Sequence, residues 1–250
     1  MFVKICGITN ESDALLAVAM GADAVGFIFA PSPRQIAPQI ARDIARRLPP
    51  EILTVGVFRD ESAQRVVEII NTMGLRGAQL HGRESPAEAR WVAQRVPFTI
   101  KAFSAGDHLI EKVSEYPVSA IMLDSAEPGS GQVFDWSRAA ALPVDTRLIV
   151  AGGLTPDNVG AAIESVNPWG VDVSSGVESS PGRKDAVRVR HFINNAKAYE
   201  DPAESEDYAD LGVDDLEALA AEYADDPEVF DWEEDVAIDV PEEPDDIAGS

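Results

Sequence analysis

Short apolar runs recur along the first 200 residues at intervals of 20 to 29 residues, and a turn and an amphipathic segment follow each one. Their length and their content of β-branched and aromatic residues predict strands, while the intervening segments predict helices. Strands joined through helices must run parallel, because each helix returns the chain to the same end of the sheet. The eight predicted strands are residues 2–6, 24–29, 52–58, 76–80, 98–103, 118–124, 147–152 and 170–174.

Capping residues mark the ends of several predicted helices. Asn10 and Asp60 are predicted N-caps, because a short polar side chain satisfies the first free backbone N–H groups. Gly74 is the predicted stop of the helix that follows Asp60, since glycine adopts the left-handed conformation of a C-terminal cap. Pro86 and Pro156 are predicted to occupy the first helical position of their helices.

Eight strand–helix units are the number that closes a (β/α)8 TIM barrel, in the class of α/β folds. The alternative is an open, doubly wound sheet, in which the first strand commonly leads into a glycine-rich dinucleotide loop. The segment "CGITN" after the first strand lacks the G-x-G-x-x-G pattern of that loop. We therefore predict a compact barrel over residues 1–198.

The net charge of −24 is concentrated in the last part of the chain. Residues 201–250 hold 21 acidic residues and no lysine or arginine, which leaves 23 acids against 20 bases in residues 1–200. Neither part offers the basic face that nucleic-acid binding needs. A strongly acidic segment is predicted to be disordered, so residues 199–250 are interpreted as a disordered tail. Apolar residues interleaved with acids in 213–235 leave open a protein partner for this tail.

The cellular setting follows from cysteine content and hydropathy. A single cysteine cannot form an intramolecular disulfide, which favours a reducing cytoplasm. No run approaches the ~18 apolar residues of a membrane span, and the first residues show no signal-peptide pattern. We expect a cytoplasmic protein with no membrane association.

Chemically distinctive residues fall where a barrel carries its active site, at the carboxyl ends of the strands and in the loops that follow. Cys6 ends the first strand, and Arg34 lies in the loop after the second. Gln79 and His81 close the fourth strand, and Asp124 ends the sixth. Asp124 suits a general acid, and Arg34 suits a planar carboxylate. Taken singly, Cys6 is equally consistent with an inert, buried thiol.

Two small-residue loops follow the seventh and eighth strands. Gly152 and Gly153 lie in the first, and Ser174, Ser175 and Gly176 lie in the second. Small residues allow backbone N–H groups to approach an anion, and loops at these positions often hold phosphate in barrels. Glycines that serve only as turn formers are the alternative. Two adjacent loops of this kind favour a phosphate site.

Strand alternation places Lys4 on the same face as Cys6, inside the barrel, with Val3 and Ile5 facing the helices. A lysine inside a barrel is costly unless it is paired. The eighth strand neighbours the first on closure, and its inward acid is Asp172. We predict that Lys4 and Asp172 form an ion pair, and that the cation beside Cys6 favours its thiolate.

The motifs, taken together and in order, resemble those of one enzyme family. They are "KICGIT", "GADAVGFIF" with "SPRQI", "QLHG", "MLDS" followed by "PGSGQVFDW", "AGGLTPDNV" and "GVDVSSGVESSPGRKD". The series resembles the phosphoribosylanthranilate isomerases of tryptophan biosynthesis over residues 2 to about 197. The acidic tail is not part of that family's pattern.

The resemblance implies an Amadori rearrangement of N-(5-phosphoribosyl)anthranilate that needs no metal or organic cofactor. By analogy, Asp124 is the general acid that opens the ribose ring, and Cys6 is the general base that removes the proton from C2. Arg34 matches the arginine that binds the anthranilate carboxylate. The backbone of Gly152, Gly153, Ser175 and Gly176 would hold the phosphate.

Three other functions stay open at this point. The histidine-pathway isomerase performs the same rearrangement but carries aspartate where this chain has Cys6. Indole-glycerol-phosphate synthase uses a lysine as its acid, for which Lys101 is the candidate. The third is a non-catalytic barrel that binds a phosphosugar and recruits a partner through its tail.

Overall fold

The computed structural model of the chain describes residues 1–104, 108–124 and 146–199. Within them, eight parallel strands close a barrel in the order of the sequence, as predicted. Each strand lies within two residues of its predicted bounds. The strands are β1 Phe2–Cys6, β2 Ala24–Ile28, β3 Leu53–Phe58, β4 Gly77–Leu80, β5 Phe98–Ser104, β6 Ala120–Asp124, β7 Leu148–Val150 and β8 Gly170–Val173.

Helices surround the barrel and connect its strands. The described α-helices are α1 Glu11–Ala19, α2 Pro38–Ala45, α3 Ala63–Met73, α4 Pro86–Ala93, α5 Val159–Val166 and α6 Ala186–Lys197. A 3₁₀ helix, His108–Glu115, stands between β5 and β6 where an α-helix would be usual. After β8 come a short 3₁₀ turn, Ser175–Val177, and a small antiparallel hairpin of β9 Glu178–Ser180 and β10 Arg183–Lys184. The predicted acidic tail lies outside the described residues from 200 onward.

Most of the predicted caps are confirmed. The Asn10 side chain accepts a hydrogen bond from the backbone N–H of Asp13 at the start of α1. Ser85 and Glu88 form a reciprocal capping box on α4, with Pro86 at the first helical position. Gly74 ends α3 with φ of 70°. These local signals succeed because each depends only on neighbours in sequence.

Two of the helix-start predictions were wrong. Ser62, rather than Asp60, caps α3, because Asp60 adopts φ of 54° and its carboxylate accepts a hydrogen bond from the backbone of Arg83 at 2.7 Å. Asp60 thus joins two loops instead of starting a helix. Pro156 lies in a turn, and α5 begins only at Val159.

Two layers of apolar side chains follow from strand alternation. Residues that face the helices form the larger cluster, and residues that face the barrel axis form a smaller one. The inner cluster consists of Val55, Ile100, Ala102, Ala120, Met122, Ile149 and Ala151. At the amino-terminal end of the strands, Phe2 stacks on Trp169 with ring centroids 4.5 Å apart. The inner cluster and this aromatic stack fill the barrel toward the amino-terminal ends of its strands. The carboxyl end is left for a cleft.

None of the helices in the described residues is long and apolar enough to cross a membrane.

Candidate active site

A cleft of about 370 Å³ opens at the carboxyl ends of the barrel strands. The carboxyl ends of β1, β2, β3, β4, β5, β6 and β8 contribute to it, together with residues of the loops after β2, β3, β4, β7 and β8. Every residue predicted for the site lines this cleft, namely Cys6, Arg34, Gln79, His81, Asp124, Gly152, Gly153, Ser174, Ser175 and Gly176. The barrel therefore brings together side chains that are up to 170 residues apart in the chain.

The predicted ion pair beside Cys6 is confirmed. Lys4 Nζ lies 2.6 Å from Asp172 Oδ1, and the lysine is fully buried. The two residues are directly opposite each other in the β1–β8 pairing that closes the barrel. On the other neighbour, β2, Gly26 is opposite Cys6. Cys6 itself is 5% exposed and faces the cleft.

Burial dominates the ionisation of Cys6. It raises the pKa of the thiol above its ordinary value, although the Lys4 ammonium works in the opposite direction. Lys4 therefore favours the thiolate, as predicted. Burial outweighs this effect, so the net pKa of the thiol is raised. Burial acts to lower the pKa of Lys4, but the Asp172 carboxylate and Cys6 together outweigh it and leave that pKa above its ordinary value. Lys4 is thus held as a cation.

Asp124 shares the cleft with His81 and Gln79. His81 Nε2 lies 3.1 Å from Asp124 Oδ2, although the ring nitrogen is not aligned for a hydrogen bond. Gln79 Nε2 lies 3.0 Å from His81 Nδ1, and it also contacts the sulfur of Met122 at 3.3 Å. Gln79 thereby holds the Nδ1 nitrogen of the imidazole, and the Nε2 nitrogen lies toward Asp124.

Arg34 is anchored by residues that the sequence analysis did not single out. Its Nε and Nη2 donate to the Glu178 carboxylate at 2.7 to 3.0 Å. Lys184 Nζ donates to the same carboxylate at 3.0 Å and to the Ser174 carbonyl at 3.0 Å. The sequence held one signal for this cluster: "ESSPGRK" places two polar runs around a Pro-Gly turn, which predicts a hairpin that brings Glu178 beside Lys184.

Glu178 remains a carboxylate in this cluster. Burial acts to raise its pKa, but Arg34 and Lys184 outweigh burial and leave the pKa below its ordinary value. With two cations on one anion, the cluster keeps a net positive charge beside the cleft. Arg34 Nη1 has no hydrogen-bond partner among the described residues, so it is available to an anionic group.

The two small-residue loops pack tightly against each other. Gly152 and Gly153 adopt φ of 81° and 69°, a region that favours glycine. A Cβ atom at Gly176 would overlap the backbone carbonyl of Leu154, so no larger residue fits. The Ser174 hydroxyl is buried and has no hydrogen-bond partner in the described structure. This surface of small residues, exposed backbone and one unsatisfied hydroxyl suits a phosphate group.

Lys101 does not line the cleft. It alternates with the inward-facing Ile100 and Ala102 and is 1% exposed on the helix-facing side of β5. Its Nζ donates to Glu84 at 2.8 Å and to the Gly82 carbonyl at 2.7 Å. This position removes the support for a lysine acid of the indole-glycerol-phosphate synthase type. In the described residues, no group of three or more His, Cys, Asp or Glu could hold a metal ion.

A closed (β/α)8 barrel with a thiol, a carboxyl group, an anchored arginine and two small-residue loops at its mouth is typical of enzymes of the phosphosugar-binding barrel class. Comparison with known proteins specifies the family. The family model of N-(5′-phosphoribosyl)anthranilate isomerase matches residues 3–195. This chain belongs to the N-(5′-phosphoribosyl)anthranilate isomerase family.

Relatives and solved structures agree on this family. The isomerase of Desulforudis audaxviator is 50% identical over 202 residues, which cover 78% of this chain and 97% of the relative. That of Pelobacter propionicus is 49% identical over 201 residues, covering 78% and 95%. The Thermotoga maritima crystal structure is 44% identical with a TM-score of 0.74, covering 79% of this chain and 99% of that one. A family structure in complex with reduced 1-(o-carboxyphenylamino)-1-deoxyribulose 5-phosphate is 42% identical with a TM-score of 0.72, covering 79% and 99%.

Proposed function

We propose that this chain catalyses the Amadori rearrangement of N-(5-phosphoribosyl)anthranilate in tryptophan biosynthesis, with Asp124 as the general acid and Cys6 as the general base. The observation that carries the proposal is the shared cleft: a carboxyl group on β6 and a thiol on β1 face one cavity from strands that are not neighbours. An acid and a base on separate strands can address different atoms of one sugar.

The reaction begins with Asp124, which protonates the ribose ring oxygen and opens the ring to a Schiff base. Cys6, as thiolate, then removes the proton from C2 to give an enolamine. The enolamine gains a proton at C1 and loses the hydroxyl proton at C2, which yields 1-(o-carboxyphenylamino)-1-deoxyribulose 5-phosphate. All atoms of the substrate are retained, so the step needs no external oxidant or reductant.

Two anion sites orient the substrate between the acid and the base. The Arg34–Glu178–Lys184 cluster supports binding of the anthranilate carboxylate, because Arg34 lines the cleft and its Nη1 has no hydrogen-bond partner among the described residues. The loops at Gly152–Gly153 and Ser174–Gly176 support binding of the phosphate at the other end. His81 Nε2 lies 3.1 Å from Asp124 Oδ2, which places the imidazole beside the proposed acid.

Two substitutions test the assignment of acid and base. We expect Asp124→Asn and Cys6→Ser each to lower kcat for phosphoribosylanthranilate by about 10²-fold or more, since a positioned proton-transfer group contributes roughly 10²–10⁴-fold. Asn cannot donate a carboxyl proton, and the serine hydroxyl is too weakly acidic to act as an anion. Steady-state kinetics on purified protein without added cofactor provide the measurement.

The matched control is Asp43→Asn, an exposed carboxylate on α2 that should leave kcat unchanged. Full activity of Asp124→Asn or of Cys6→Ser would refute the role of that residue. A parallel assay with the histidine-pathway substrate separates the two isomerases. Turnover of that substrate alone would overturn the proposed function.

A further inference from the structure

Lys4 is a buried cation that the proposed reaction steps do not use. It is fully buried inside the barrel, its Nζ donates to Asp172 Oδ1 at 2.6 Å, and it also forms a side-chain hydrogen bond with Cys6. Removing a charge from water costs several kcal/mol even after pairing, and apolar residues often replace such pairs without loss of stability. A buried pair is therefore weak evidence for stability, which favours another role for Lys4.

The position of Lys4 is next to the thiol of Cys6. The two residues lie on the same face of β1, and Gly26 of β2 stands beside both. A Cβ atom at Gly26 would lie 2.8 Å from Cys6 Sγ and 3.1 Å from Lys4 Nζ. Glycine at this position leaves the space between the sulfur and the ammonium group free of any side chain.

We propose that Lys4 is a positioning residue of the reaction: its ammonium group, fixed by Asp172, is the counter-charge that allows the Cys6 thiol to lose its proton inside the barrel. This inference rests on the proposed role of Cys6 as general base. It extends that role, because it names the group that makes a buried thiolate possible.

The energetic need for a counter-charge is clear from the surroundings of Cys6. Burial raises the pKa of the thiol, Lys4 lowers it, Asp172 raises it and Lys184 lowers it further. Lys4 lowers the pKa of the thiol more than Lys184 does, because it shares the strand face with Cys6. Other charged or titratable groups that line the cleft or adjoin it in the described residues are Arg34, Arg59, His81, Asp124 and Glu178.

Asp172 has a distinct task in this arrangement. Burial alone would drive Lys4 toward its neutral form, which has no charge to offer the thiolate. The carboxylate at 2.6 Å keeps Lys4 protonated, and the pKa of the lysine lies above its ordinary value. The pair thus favours the charged ammonium that a thiolate at Cys6 needs.

The test measures the pH dependence of Cys6 alkylation by iodoacetamide. Cys6 is the single cysteine of the sequence, so the reaction reports one thiol and requires no turnover of substrate. In Lys4→Met we expect the midpoint of the alkylation profile to rise by about one pH unit or more, the usual effect of losing an adjacent opposite charge. At neutral pH, kcat should fall about tenfold for each pH unit by which the midpoint rises, because the thiolate fraction falls by the same factor. KM should change little.

The chain offers a matched control in its second buried lysine pair. Lys101→Met breaks the Lys101–Glu84 pair on the opposite side of the sheet and should destabilise the fold without moving the alkylation midpoint. If Lys4→Met does not fold, Gly26→Ala tests the proposal instead. This variant keeps the Lys4–Asp172 pair and inserts a methyl group between Lys4 Nζ and Cys6 Sγ. It should also raise the midpoint.

Three results would overturn the proposal. The first is an unchanged alkylation midpoint in folded Lys4→Met. The second is an unchanged midpoint in Gly26→Ala when Lys4→Met does not fold. The third is a raised midpoint in the tested variant with kcat unaffected. Failure of the proposed function is a separate result, because it appears as full turnover by Cys6→Ser whatever the alkylation profile.

Discussion

Arg34 shows how a single side chain divides its hydrogen bonds between the fold and the ligand site. Two of its three guanidinium nitrogens bind Glu178, and the third has no partner among the described residues, while the side chain lines the cleft. Glu178 is in turn held by Lys184, so the guanidinium plane has little freedom to rotate. The arginine is thus oriented before the substrate arrives, which lowers the entropy cost of binding.

Replacing Arg34 with lysine tests this orientation. The ammonium group is a point charge that cannot bind Glu178 and a substrate carboxylate through one planar fork. We expect Arg34→Lys to raise KM about tenfold or more, since a charged hydrogen bond contributes about 1.5–3 kcal/mol, with a smaller effect on kcat. Steady-state kinetics measure both constants. Arg47→Lys, on an exposed ion pair with Glu11, is the control, and equal KM values in the two variants would contradict the role of Arg34.

The sequence predicted some residue contacts and missed others for a clear reason. Lys4 and Asp172 could be paired in advance, because strand alternation and barrel closure fix their faces and their neighbours. The contact between Arg34 and Glu178 could not, because both lie outside the barrel strands. Their meeting depends on the path of two loops, which no sequence periodicity describes.

At the level of elements, the loops after β7 and β8 act as one unit. The Ser175–Val177 turn packs so closely on the loop at Leu154 that Gly176 has no space for a Cβ atom. The chain reaches this contact from two separate strands, so the spacing of the two loops depends on the barrel register between β7 and β8.

Gly176→Ala tests this close approach. The added methyl group would overlap the Leu154 carbonyl and force the loops apart, so we expect KM for the phosphorylated substrate to rise about tenfold or more. Inhibition by inorganic phosphate should weaken in parallel. Gly74→Ala is the control, because φ is 70° but no atom lies within 4 Å of its Cβ position. That variant should lose about 1 kcal/mol of stability with KM unchanged. A normal KM in Gly176→Ala would show that the loop spacing does not matter for phosphate binding.

For the whole molecule, we propose a catalytic barrel over residues 1–198 and an acidic tail over 199–250 that acts apart from catalysis. The family model ends at residue 195, and every described residue of the cleft precedes it. Tyr199 Oη donates to Glu164 at 2.8 Å, so the contacts of the barrel extend one residue beyond the proposed boundary. We also propose that the enzyme acts in the cytoplasm.

A chain that ends at Glu200 tests the catalytic independence of the barrel. We expect its kcat/KM to equal that of the full chain within about twofold, because the truncation keeps Tyr199 and every described residue of the cleft. Steady-state kinetics and thermal unfolding provide the comparison. A loss of activity of tenfold or more in a chain that remains folded would contradict the proposed division.

The sequence by itself determined the barrel, the strand faces and ten of the residues that line the cleft. These features repeat locally: alternation defines the faces, and the strand count closes the sheet. Only the tertiary structure decided which polar groups meet. It placed Asp60 in a loop contact, paired Arg34 with Glu178 and Lys184, and turned Lys101 away from the cleft. The reason is physical, since ionisation and hydrogen bonding depend on distances between residues far apart in sequence.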